Sequence, residues 1–185
     1  LLRLSFHFII LFFELFIFLT MYVWYYARKI NNRFTKFTDL GRFVSAIKEL
    51  SQDVGIAKFS THLIYLTKAN HRHEIEEKII QSIFSKKPKR ADVYWFVHVD
   101  TVDSPYTSKY SVDTIIPKKC FFIRIKLGFK SDHRVNLLFN KILHDMANSA
   151  EIDMTSHYDS LQKHSMPADF KFIILHSLAS VDSEI

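Results

Sequence analysis

Hydrophobic positions run almost unbroken at the start of the chain and become periodic further on. Leu4 to Ala27 reads LSFHFIILFFELFIFLTMYVWYYA, with Glu14 as its one formal charge. As a helix this stretch would be about 36 Å long, at roughly 1.5 Å per residue, against a bilayer hydrocarbon core of about 30 Å. It ends in Trp24, Tyr25 and Tyr26, then Arg28, Lys29, Arg33 and Lys36, an interfacial aromatic anchor followed by a basic collar. A cleaved signal peptide is the rival reading, but its apolar stretch would be shorter and followed by small residues at a cleavage site. The pattern therefore predicts a transmembrane helix over residues 1–28, a juxtamembrane collar over 29–37 and a soluble domain over 38–185. Only Arg3 precedes the span while four basic residues follow it closely, so the domain is expected in the cytoplasm.

Past the collar the period changes. Thr38 or Asp39 can cap a helix whose Leu40, Phe43, Val44, Ile47 and Leu50 share one face, with Gly55 beyond its end. His62 to Thr67 (HLIYLT) is a short apolar run suited to a strand buried on both sides. A second helix is expected from about Arg72, capped by Asn70, with Ile75, Ile79, Ile80 and Ile83 inward; Glu74, Glu76 and Glu77 then precede Lys86 and Lys87 in the order a helix dipole favours. Asp92 to Asp100 (DVYWFVHVD) reads as another buried strand, and strand, helix, strand makes a parallel unit.

The style then shifts to strict alternation. Tyr110, Val112, Thr114 and Ile116 alternate with polar residues up to Pro117, and Phe121, Ile123, Ile125 and Leu127 alternate with Arg124 and Lys126. That pair predicts an antiparallel hairpin with one solvated face. A third helix is expected over His133 to Asn148, a loop over Thr155 to Ser165 and a last strand over Phe170 to Leu175. The fold class is α/β: an N-terminal membrane helix, then one domain with a mixed sheet and about three helices.

Composition sharpens this division. Of the first 27 residues 22 are hydrophobic, including ten of the 28 aromatics, which leaves about 42% across the remaining 158, an ordinary globular level. At 185 residues the chain can build one domain and an appendage. It opens on Leu1 instead of methionine, so it is expected to be an excerpt from a longer protein. Its three glycines, Gly41, Gly55 and Gly128, are far apart, which excludes a Walker loop or a dinucleotide-binding fingerprint. Cys120 is the single cysteine, so neither an internal disulfide nor a multi-thiolate zinc site can form.

Few residues carry candidate chemistry. Glu14 lies mid-span, where an exposed carboxylate costs several kcal/mol. It serves either as a proton or cation relay or as a neutral carboxyl packed against a neighbouring helix; both require that it face protein. His71 and His73 are two apart and no HExxH pattern occurs, so no metal site is expected. His98 and Asp100 share a strand face, either as a carboxylate–imidazole pair or with His98 as a hydrogen-bonded core histidine. Cys120 reads as a buried, inert thiol, and no GxSxG elbow exists. No enzyme activity and no cofactor are expected.

Lys86, Lys87, Lys89 and Arg90 form the densest charge run and, with a net charge of +6, suit phosphate groups: a nucleotide or anionic lipid headgroups. A solvated loop between helix and strand is the plainer alternative. Beside a membrane span, neither nucleic acid nor nuclear import is the expected partner.

The ordered strings ARKINNRF (27–34), THLIYLT (61–67), HEIEEKIIQSI (73–83), KPKRADVYWFVHVD (87–100), DSPYT (103–107), TIIP (114–117), RIKLGF (124–129), RVNLLF (134–139) and DFKF (169–172) resemble the last membrane helix and cytosolic carboxyl-terminal domain of the KUP (HAK/KT) potassium uptake transporters. The resemblance covers about residues 24 to 180. It implies a fragment of a multi-pass, proton-coupled potassium importer of the bacterial inner membrane. K+ and H+ would be handled by ion-binding residues in upstream helices, none of which maps onto this chain. The domain would serve assembly and regulation, as a homodimer or under a nucleotide effector, in contact with lipid and the rest of the transporter.

Overall fold

In a computed structural model the chain is described over residues 2–33, 36–85, 87–131, 134–150, 152–153, 161, 163–164 and 166–175. It divides into two compact units, one carrying Leu1–Lys36 and the other Phe37–His176. The first unit is a helix, α1 (Leu2–Arg33), so the basic collar begins on the helix itself. Within it Ile9–Ala27 is apolar enough to cross a membrane, with a mean hydropathy of 1.8 and none of its residues buried.

The second unit opens with a short strand β1 (Phe37–Asp39), a 3-10 turn (Leu40–Phe43) and helix α2 (Val44–Gln52). Asp39 is the cap that the sequence offers: its Oδ1 accepts the Gly41 amide at 3.0 Å. The chain continues through β2 (Lys58–Thr67), β3 (Glu74–Glu76), α3 (Glu77–Phe84), β4 (Arg90–Val102), β5 (Ser108–Ile116), β6 (Cys120–Gly128), α4 (Val135–Asn148) and β7 (Phe170–Ile173).

Five strands form one sheet in the order β5-β6-β4-β2-β7. β7, β2, β4 and β6 run parallel, and β5 closes one edge antiparallel to β6. Each face carries its own core. Leu63, Tyr65, Tyr94, Phe96, Cys120 and Phe122 meet Ile47 and Leu50 of α2 and Ile79, Ile80 and Ile83 of α3. Ile64, Trp95, Val97, Phe121, Ile123 and Ile125 meet Phe139, Ile142, Leu143 and Met146 of α4. Alternation along the central strands thus feeds two hydrophobic layers, which makes them apolar at nearly every position.

Two expectations need correction. The second helix does not begin at Arg72 under an Asn70 cap. Glu74, Ile75 and Glu76 form β3, which pairs antiparallel with β1, Ile75 lying opposite Thr38, and α3 starts at Glu77 with only that glutamate in its first turn. Ile75 between two glutamates satisfies the two-residue period of a strand as well as the helical one, and the pairing with β1 decides between them. Nor does the hairpin keep a solvated face along its length. β6 lies inside the sheet, between β5 and β4, and Cys120 and Phe122 are buried under α2 and α3. Only Arg124 and Lys126 continue that face beyond the helices. The expected loop over Thr155 to Ser165 lies largely outside the described residues.

Candidate functional site

Each basic residue of the charge run follows from where the chain turns from α3 into β4. Lys86 lies outside the described residues. Lys87 is exposed. Lys89 folds back on the end of α3, its Nζ donating to the Ser82 carbonyl at 2.6 Å and to Ser82 Oγ at 3.0 Å. A cation there meets carbonyls that the helix end leaves open. Arg90 opens β4, and its Nη1 donates to the Ile56 carbonyl at 3.0 Å. Lys89 and Arg90 are therefore held by the fold, and the described cations of the run do not converge on one point. The run also sits at the amino end of parallel strand β4, whereas open α/β sheets bind ligands outside their carboxyl ends.

Beside that amino edge lies a hollow of about 480 Å3, lined by Ser51, His62, Asp92, Lys118, Lys119 and Asp153 among others. Asp92 pairs with Lys58 at 2.7 Å, both mostly shielded from solvent. Lys119 Nζ donates to Ser51 Oγ at 2.7 Å. Burial, then nearby Lys48 and Arg90, hold its ammonium below the usual lysine pKa against the opposing pull of Asp92. Lys118 occupies the tight turn before β6 at φ 62°, a conformation that most side chains avoid. The lining mixes two lysines with two aspartates, so its charges compensate one another.

Among the described residues the buried histidine is His62, not His98. His62 is fully buried, stacks on Phe170 at 4.4 Å, and its Nδ1 accepts the Trp95 indole N–H at 3.2 Å. A histidine opening an apolar strand run was the available signal. His98 is half-buried, with Nδ1 3.1 Å from the Thr67 carbonyl, the hydrogen-bonded alternative of the two offered by its spacing. Cys120 is fully buried and its thiol is pushed up to about 12 by burial. Among the described residues no cluster of three or more His, Cys, Asp or Glu could hold a metal ion.

In the other unit, Trp24, Tyr25 and Tyr26 are exposed on α1, and the Tyr22 and Tyr26 rings stack at 6.0 Å. Glu14 is exposed within the apolar stretch, and Lys29 and Lys36 are exposed after it. Arg28 and Arg33 belong to the same helix. α1 is thus a long apolar helix with aromatic and basic residues at one end, followed in the chain by a domain with a hydrophobic layer on each face of its sheet. Comparison with known proteins shows the family. The K+ potassium transporter C-terminal domain family matches residues 60–183.

The chain belongs to the Kup potassium transporter family.

It is 47% identical over 165 residues to the probable potassium transport system protein Kup of Cytophaga hutchinsonii, a match covering 89% of this chain and 25% of that protein. The Flavobacterium johnsoniae protein of the same description is 42% identical over 165 residues, and that of Clostridium perfringens 34% over 166, with the same coverage of both chains. The chain thus spans about a quarter of the length of the curated Kup relatives it matches. No solved structure matches it.

Proposed function

We propose that this chain is the terminal membrane span and cytosolic regulatory domain of a potassium–proton symporter in the bacterial inner membrane. Residues 1–28 cross the bilayer, 29–37 form the cationic collar at its inner surface, and 38–185 fold in the cytoplasm. One observation carries the reading: a family match to potassium transporters over residues 60–183 of a chain that begins with an apolar helix bearing basic residues at one end. K+ and H+ are handled by upstream helices, and this portion supports assembly, including pairing with a second copy, and control of uptake. Glu14 packs against those helices, because a carboxyl group facing lipid would be strongly destabilising. The domain contributes no enzymatic step.

Potassium uptake by the complete protein in cells lacking other uptake systems tests this. Deletion after residue 36 should lower uptake or abolish its control while membrane insertion persists. Unchanged rate, affinity and regulation would remove the proposed role. Nucleotide sensing at Lys86, Lys87, Lys89 and Arg90 is the weaker second reading, since Lys89 and Arg90 are already bound to Ser82 and Ile56. Calorimetry with adenine nucleotides and charge reversal at Lys87 would detect it.

A further inference from the structure

The sheet face that packs under α2 and α3 does not end where those helices end. Towards the carboxyl ends of β4 and β6 it turns polar and basic. Lys109 of β5 lies directly opposite Lys126 of β6, and Ser111 directly opposite Arg124. Partners in such register have Cβ atoms about 5 Å apart, and like charges so placed repel. Both lysines are exposed. Together with Tyr110, Ser111 and Arg124 they line a shallow hollow of about 240 Å3, with no acidic side chain among the described residues of its wall.

Arg124 is the fixed point of this hollow. Its Nη2 donates to Asp113 Oδ2 at 2.9 Å, while its Nε is buried and without a hydrogen-bond partner among the described residues. A guanidinium keeps N–H donors beyond the one it gives to a carboxylate, and with about a third of the Arg124 side chain open to solvent (36%) the remaining Nη N–H groups can meet an oxyanion. On the neighbouring strand His98 lies in register with Arg124 and Asp100 with Lys126, so Asp113 and Asp100 balance two of the three cations and leave an excess of one positive charge. This corner also lies at the carboxyl ends of the parallel strands β4 and β6, the end of an open α/β sheet at which ligands bind.

We propose that Lys109, Arg124 and Lys126 form a binding site for one phosphoryl group, with Arg124 fixing its orientation and the two lysines supplying charge. The site is distinct from the charge run at Lys86–Arg90, which lies at the opposite end of β4. Its size fits a phosphate or pyrophosphate moiety and not a whole dinucleotide. Bound anion relieves the repulsion between Lys109 and Lys126, so binding and stability are linked.

The test uses the full chain, in a non-ionic detergent for titration with inorganic pyrophosphate at fixed ionic strength. A second arm, free of detergent, uses phosphatidylcholine vesicles with and without phosphatidic acid, counting only the binding that phosphatidic acid adds beyond insertion of α1. Saturable binding of either probe is expected, with a rise in unfolding temperature for the soluble one. K126Q should weaken it about five-fold and the K109Q/K126Q pair about ten-fold or more, as expected for charge-assisted contacts at a half-exposed site. K141Q, which removes an exposed lysine on α4, should leave it unchanged. Binding only to vesicles assigns the phosphoryl group to a lipid headgroup; binding of pyrophosphate assigns it to a soluble molecule. No saturable binding in either arm, or equal weakening by K141Q and K126Q, overturns the site.

Discussion

Asp169 Oδ1 accepts two hydrogen bonds from Thr61, the backbone amide at 2.8 Å and the hydroxyl at 2.5 Å. With the His62 amide donating to the Asp169 carbonyl at 3.0 Å, Asp169 pins the start of β7 to two successive residues of β2. Burial favours the neutral carboxyl, but the two Thr61 bonds outweigh it, and the Asp169 pKa falls below the usual aspartate value. A lowered pKa means that this contribution is complete above the unfolded-state value near 4 and is lost as pH falls through the folded value below it. Asp169→Asn should destabilise the domain by about 1 kcal/mol at neutral pH, since the site is partly solvent-screened. The difference from the parent should shrink below about pH 4. Urea unfolding at pH 7 and pH 3.5 measures it; an equal difference at both would show that the ionised carboxylate is not what matters.

Trp95 is the centre of the α4-side core. It is fully buried, stacks on Phe121 at 4.7 Å and meets the Phe139 edge at 5.6 Å. Trp95→Ala should cost about 3–5 kcal/mol, a large part of a typical domain's stability. Trp95→Phe should cost less but still leave the His62 Nδ1 without its indole donor. Chemical denaturation followed by far-ultraviolet circular dichroism separates the two, and a loss for Trp95→Ala below 1 kcal/mol would contradict the packing.

Gly128 is required by a close approach, not by a special dihedral. A Cβ added there would stand 2.2 Å from the Ser104 carbonyl oxygen and 2.4 Å from that of Pro105, both backbone atoms that cannot swing aside. The Gly128 amide also donates to the Thr107 carbonyl at 2.7 Å, so the 103–107 loop is drawn onto the end of β6. Gly128→Ala should therefore cost about 2 kcal/mol or more. Amide exchange in the loop and in β5 should accelerate more than in β2. Unaltered exchange there would place the strain elsewhere.

Much of this architecture is legible in the periodicity of the chain. Apolar runs such as DVYWFVHVD leave no face for water, which requires a strand covered on both sides, and α2 and α4 on opposite faces supply the cover. What periodicity does not settle is a three-residue element. Ile75 fits a helix stripe and a strand equally, and only its pairing with Thr38, 37 positions away, makes it β3. The basic run was conspicuous as four cations in five residues, but charge density in sequence does not reveal that Lys89 and Arg90 point at carbonyls of Ser82 and Ile56. The cations of the β5–β6 corner are dispersed over 18 positions, and they meet only through hairpin register.

Cys120 offers a probe of the opposite face that needs no mutation, because it is the one cysteine of the chain. Its side chain is wholly buried in the layer under α2 and α3, and desolvation raises the thiol to about 12. At pH 8 an ordinary exposed thiol, with a pKa near 8.5, is roughly one-quarter thiolate, whereas this one is thiolate to about one part in ten thousand. Alkylation must then wait for the domain to open. Native protein at pH 8 should react with iodoacetamide at least about a hundred-fold more slowly than protein in urea. Weakening the same layer with Ile79→Ala should speed labelling in proportion to the stability lost, while the exposed change K141Q should not. Rapid native labelling would mean that Cys120 reaches solvent and that the two-layer packing of this sheet is wrong.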